Sequence, residues 1–172
     1  MKKLGLSVAL LCTLTALVLS HPHIRKTVGA SAEGVQLKLS YFTLPYNAEH
    51  MADVKEGFVF HCGRATLEIS GAVESAGMKV STGQYDLRAK AVTADKWTLL
   101  LIPKAPEGSG GQQGSSREIP LESRSGKGQH SAHHLNLDLT SGHGDTHGKL
   151  ILSVAFGPRT VEGILSLPTP GA

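Results

Sequence analysis

The 172 residues (18.1 kDa) suit one domain better than two. With 40% hydrophobic and 18% charged residues, 17 basic against 14 acidic, the composition excludes a disordered charged tail. It also lacks the concentrated basic face that a nucleic-acid duplex requires, so no nucleic-acid partner is expected.

Lys2 and Lys3 precede an apolar run from Leu4 to Leu19, and Val18-Leu19-Ser20 offers small or branched residues to a signal peptidase. Residues 1–20 therefore read as a cleavable export signal cut after Ser20, with a later cut after Ala30 or Ala32 as the competitor. The run falls short of the roughly 20 residues a bilayer core needs and ends in His-Pro-His, so no stable membrane anchor is expected after cleavage. Removal of Lys2 and Lys3 leaves 15 basic residues against 14 acidic, a mature chain near neutrality. Residues 21–172 are expected as a single periplasmic or extracellular domain.

From Val35 the pattern becomes period two. Val35, Leu37, Leu39 and Tyr41 alternate with Gln36, Lys38, Ser40 and Phe42, which predicts a half-buried strand. Phe58 to Phe60 and Ala65 to Ile69 follow as strands separated by Cys62-Gly63-Arg64. Gln84 to Val92 is another, and Lys96 to Ile102 around Trp97 reads as a central strand. Residues 103–116 lack apolar anchors and read as a flexible loop. Leu135, Leu137 and Leu139 alternate again, placing His134, Asn136, Asp138 and Thr140 toward solvent. Lys149 to Phe156 and Thr160 to Leu165 close the set with Gly157-Pro158 as the turn between them. No segment carries a sustained helical period. About nine short strands at roughly ten-residue spacing predict an all-β fold, an antiparallel β-sandwich. Its expected core is Leu37, Leu39, Leu67, Ile69, Leu87, Trp97, Leu99, Leu101, Leu137 and Val154.

Tyr41 with Pro45, Phe60 to Thr66, Gly77 to Tyr85 and Lys96 to Leu99 together resemble segments of the domain-of-unknown-function family 2911 of exported bacterial all-β proteins. Tyr41 with Pro45 sits where that family carries a Tyr-x-x-Pro-like element. Phe60-His61-Cys62-Gly63-Arg64-Ala65-Thr66 is similar to its Trp-Arg-Thr-Gly-Ala-Asn-Glu-Ala-Thr stretch. Gly77 to Tyr85 resembles its Gly-x-x-Leu-Pro-Ala-Gly-x-Tyr hairpin, and Lys96-Trp97-Thr98-Leu99 its Trp-Thr-Val strand. The Arg, Asn and Glu of the family's central motif have no counterpart here, so no role of theirs is carried over. The resemblance spans about residues 27–166 and implies a fold and a compartment, with no reaction attached.

Once Cys12 leaves with the signal, Cys62 stands alone and is expected as a small buried hydrophobe. All nine histidines lie beyond residue 20, at 21, 23, 50, 61, 130, 133, 134, 143 and 147. Imidazole suits Zn, Cu and Ni, although no zinc-site spacing is present. A mature N-terminal His21 would offer its α-amine and Nδ1 to one copper ion, completed by one imidazole from His23, His50, His61, His134, His143 or His147. His23 stands third in that mature chain, but Pro22 lacks the N–H that a backbone-amide copper site needs. Adjacent His61 and Cys62 point to opposite faces of any strand, and no nucleophile elbow or phosphate loop appears. The expected function is therefore an exported binding or structural module without catalysis, acting on an unidentified ligand or envelope component. A periplasmic copper or other transition-metal binder is the alternative, copper being the only cofactor implied, and an enzyme is third.

Overall fold

A computed structural model of the chain describes residues 23–105 and 117–167. The export signal, His21 and most of the loop expected at 103–116 lie outside the described residues. Two antiparallel sheets pack together as an all-β sandwich, as the alternation predicts.

The first sheet runs in the order β1 (Arg25–Ala32), β2 (Val35–Phe42), β4 (Thr66–Ile69), β7 (Gly83–Ala91), β8 (Trp97–Pro103) and β9 (Ile119–Pro120). The two-residue β3 (Val59–Phe60) pairs with β7 as well. The second sheet has the order β10 (Glu122–Ser141), β11 (Lys149–Ser166), β5 (Val73–Ser75) and β6 (Met78–Val80). A five-residue helix α1 (Ala48–Ala52) begins at Asn47, whose Oδ1 accepts the amides of Glu49 and His50 at 2.8 and 3.3 Å.

Sequence periodicity explains which faces are buried. In β2, Val35, Leu37, Leu39 and Tyr41 are buried while Gln36 and Lys38 face water. In β8 five of the seven residues are buried, the pattern of a strand covered on both faces. All ten expected core residues are buried, and they join side chains from both sheets in one apolar cluster.

Three features differ from the sequence expectation. The described residues contain eleven strands, two of which are 20 and 18 residues long. Gly157-Pro158 is not a turn between strands; it lies inside β11. Gly157 takes φ 60° opposite Ala132, where the register with β10 shifts, and Pro158 sits beside that irregularity because it has no N–H to give a regular ladder. A Cβ at Gly157 would stand 2.2 Å from the Tyr46 ring, so its absence lets that ring pack against the bend.

The third difference is the first half of β10, whose Ser, Gly and Lys residues carry no strand periodicity. Its serines hold it in place. Ser125 Oγ accepts the Trp97 amide at 2.8 Å and donates to the Trp97 carbonyl at 2.7 Å. Ser123 Oγ accepts the Leu99 amide at 3.0 Å. Side-chain hydroxyls thus satisfy the edge of β8 where the short β9 does not reach.

Two substitutions separate packing from edge satisfaction. Leu99→Ala should lower unfolding free energy by about 2–5 kcal/mol through lost burial and a residual cavity. Ser125→Ala should cost about 1–3 kcal/mol by orphaning the buried Trp97 amide. Urea unfolding of both variants checks the order, and a Ser125→Ala protein as stable as the parent would refute the hydroxyl bridge.

Candidate functional site

Strands β3 and β4 both lie along one edge of β7, at Lys90–Ala89 and Asp86–Gly83 respectively. Between them the chain leaves the sheet at residues 61–65. Cys62, Gly63 and Arg64 take φ values of 46°, 64° and 55°, a left-handed turn. Each non-glycine residue held in that region costs roughly 1–3 kcal/mol, so neighbouring structure must enforce it.

Three contacts do so. The Arg64 amide donates to the His61 carbonyl, and the Phe42 amide donates to the Gly63 carbonyl, both at 2.9 Å. The Cys62 side chain is wholly buried, its Sγ 3.6 Å from the Phe60 carbonyl oxygen. A Cβ on Gly63 would stand 2.1 Å from the Phe42 carbonyl oxygen, so only glycine fits there. Burial pushes the Cys62 thiol up to about 12, against a smaller opposing effect of the Ala89 backbone. The thiol is therefore protonated at neutral pH and is no nucleophile, as expected of a small buried hydrophobe.

With Cys62 turned inward, His61 and Arg64 are exposed on the wall of a cavity of about 540 Å³. Phe42, Leu44, Phe58, Val59 and Phe60 supply its apolar lining, and His23, Gly63, His61 and Arg64 complete it. No aspartate or glutamate is among these residues. Phe60 stacks on Phe156 at 4.9 Å, and Phe58 meets the single tryptophan, Trp97, edge-on at 6.1 Å. Phe58 is nonetheless 40% exposed, one of three large apolar side chains left to solvent among the described residues.

His23 reaches the cavity because the approach to β1 is bound alongside the end of β2. The Thr43 amide donates to the Ile24 carbonyl at 2.9 Å, and the Ile24 amide donates to Thr43 Oγ1 at 3.2 Å. His23 Nδ1 lies 3.3 Å from the Thr43 carbonyl oxygen, a contact in which the ring nitrogen is the donor because a carbonyl only accepts.

Of the metal-ligand candidates, the structure brings His23 and His61 to one cavity and leaves the others apart. His134 is exposed on β10, its backbone bridging to Pro45. His50 is exposed on α1. His143 and His147 flank a single 3-10 turn, Gly144–Thr146, and both face water. Asp145 between them is engaged by Arg124, whose Nη2 and Nη1 donate to the carboxylate at 2.6 and 3.2 Å. Among the described residues no group of three or more His, Cys, Asp or Glu is arranged to hold a metal ion. His21 lies outside the described residues.

Sequence reasoning did not single out Arg64, Phe42, Leu44 or Phe58. The available signal was the Gly-containing break between two strands that belong to one sheet edge. No family model, curated protein or solved structure matches the chain.

Gly63→Ala should unfold at markedly lower temperature than the parent, whereas Gly126→Ala, where a Cβ meets nothing within 4 Å, should not. Equal melting temperatures for the two variants would contradict the turn's role. For the thiol, Cys62 should resist alkylation in the native protein and react on unfolding, read by mass spectrometry at that residue. The guanidinium of Arg124 holds Asp145 below the ordinary carboxylate range, through its hydrogen bonds and its charge. A depressed carboxyl stabilises the fold above its unfolded pKa, and that contribution fades as pH falls through the folded value. Carbonyl NMR titration should therefore show Asp145 rising in Arg124→Ala.

Proposed function

We propose that the chain is an exported, non-catalytic β-sandwich protein that binds a ligand in the cavity beside the Cys62–Arg64 turn. The cavity itself carries the reading. Small-molecule sites are concave and mostly apolar, with a few placed polar groups, and typically enclose about 300–1,000 Å³. The 540 Å³ cavity has that make-up, with strand-borne walls and a turn fixed by burial of Cys62.

Export is supported by the Lys2-Lys3 leader and the apolar run from Leu4 to Leu19 that follows it. The fold adds a reason to favour a cut upstream of Arg25. Strand β1 pairs with β2 from Arg25–Phe42 to Ala32–Val35, so a cut after Ala30 or Ala32 would strip an edge strand. A cut after Ser20 leaves it whole.

A neutral apolar dye, N-phenyl-1-naphthylamine, tests the binding reading. It should saturate at one site per chain, and Val59→Trp, which fills the cavity, should abolish binding while the melting transition stays cooperative. Unsaturable binding, or binding indifferent to Val59→Trp, would overturn the reading.

Copper binding by a mature His21 is the second reading, favoured by His61 sharing one cavity lining with His23, which stands two residues after His21 in the chain. Calorimetric copper titration of the chain starting at His21 should show tight binding. One Ala added before His21 should abolish it, and His61→Ala should weaken it at least tenfold. Equal affinity with and without the added Ala would end this reading.

A further inference from the structure

Resting on the binding reading above, we infer that the cavity takes an acyl carboxylate, its carboxylate on Arg64 and its chain along Phe42, Leu44, Phe58 and Phe60. Two independent observations define this ligand. The first is charge. The polar side chains on the lining are two imidazoles and one guanidinium, with no acidic group. Arg64 makes no ion pair among the described residues, as is true of most lysines and arginines there; what sets it apart is its place as the one guanidinium on this lining. A cleft of one sign against apolar walls concentrates anions, and a guanidinium fork matches a carboxylate's two oxygens.

The second observation is the form of the apolar lining. It comes from residues 58–60, at and before β3, and from the end of β2 with Leu44, so two chain segments contribute apolar side chains to one lining. A flexible chain covers apolar side chains of both segments with its polar end at one point. One point is what the turn provides. The Arg64 amide is already spent on the His61 carbonyl, so the turn offers a side-chain cation rather than that N–H. A single monovalent head on an apolar tail meets both conditions.

The test is displacement of N-phenyl-1-naphthylamine from the mature chain by decanoate, octanoate and decanol, with Trp97 fluorescence as a second readout through its contact with Phe58. Decanoate should compete at least tenfold better than decanol. It should also compete about tenfold better than octanoate, given the stabilisation expected from two further buried methylenes. Arg64→Asn, a residue that tolerates the left-handed backbone, should weaken decanoate at least tenfold more than it weakens decanol or the dye. Arg64→Lys should restore part of the loss. Equal competition by decanoate and decanol in the parent would overturn the inference while leaving the cavity as an apolar binding site. So would an Arg64→Asn variant that weakens decanol and decanoate alike, because that would mark Arg64 as structural. Absence of saturable dye binding would remove the binding reading and the inference together.

Discussion

The Phe42 amide donates to the Gly63 carbonyl, and the side chains around the cavity depend on that one bond. The regular ladder between β2 and β4 stops at Ser40–Thr66, and the Phe42 bond extends the pairing onto a backbone that has left the sheet. Three successive positive φ values would relax in a free loop. Here the bond pins the middle residue, the Arg64 amide closes the turn on His61, and Cys62 fills a site with no solvent contact. The turn therefore stores strain that the core enforces, an arrangement common where a side chain must be aimed. His61 and Arg64 are aimed outward because Cys62 is aimed inward.

The opposite wall of the cavity is tied to the second sheet. The Leu135 amide donates to the Leu44 carbonyl and the Tyr46 amide to the His133 carbonyl, each at 2.8 Å. Segment 44–46 thus borrows the free edge of β10, and the Tyr46 ring packs on Phe156 at the Gly157 bend. At its other end the same strand serves the first sheet through the hydroxyls of Ser123 and Ser125. One long hairpin therefore contributes backbone pairing to one sheet and side-chain pairing to the other. Glycine at 157 permits the first of these, since a Cβ there would stand 2.2 Å from the Tyr46 ring.

These devices explain what the sequence made legible. Alternation at Val35–Tyr41 and Leu135–Leu139 and the apolar run at Trp97–Ile102 report burial directly, so the class of fold and the expected core follow from them. The first half of β10 was not legible because its pairing rests on serine hydroxyls, and hydroxyls leave no hydrophobic period. Gly157-Pro158 misled for a related reason: a bulge and a turn need the same residues, one free to adopt positive φ and one without an N–H. At the site, His23 and His61 were marked by residue type, while their convergence is set by topology, with β3 and β4 on one edge of β7 and the approach to β1 beside the end of β2. Arg64 carried no mark, because one arginine in a near-neutral chain is ordinary until its surroundings are known.

Those surroundings distinguish Arg64 from the four paired cations. The four ion pairs among the described residues join side chains that are 41–71% exposed, a setting in which a pair contributes about 0–1 kcal/mol. They shape the surface charge and do little to hold the fold. Arg64 has no such partner among the described residues, and its backbone is fixed between a closed turn and a buried cysteine. Ordering a side chain on binding costs about 0.5–1.5 kcal/mol, and backbone ordering adds to that in a mobile loop. At Arg64 the backbone share has already been met by the fold. The same constraint that strains the turn thus lowers the cost of using its arginine, and a single cation on an apolar wall becomes an effective anchor for a single anionic head.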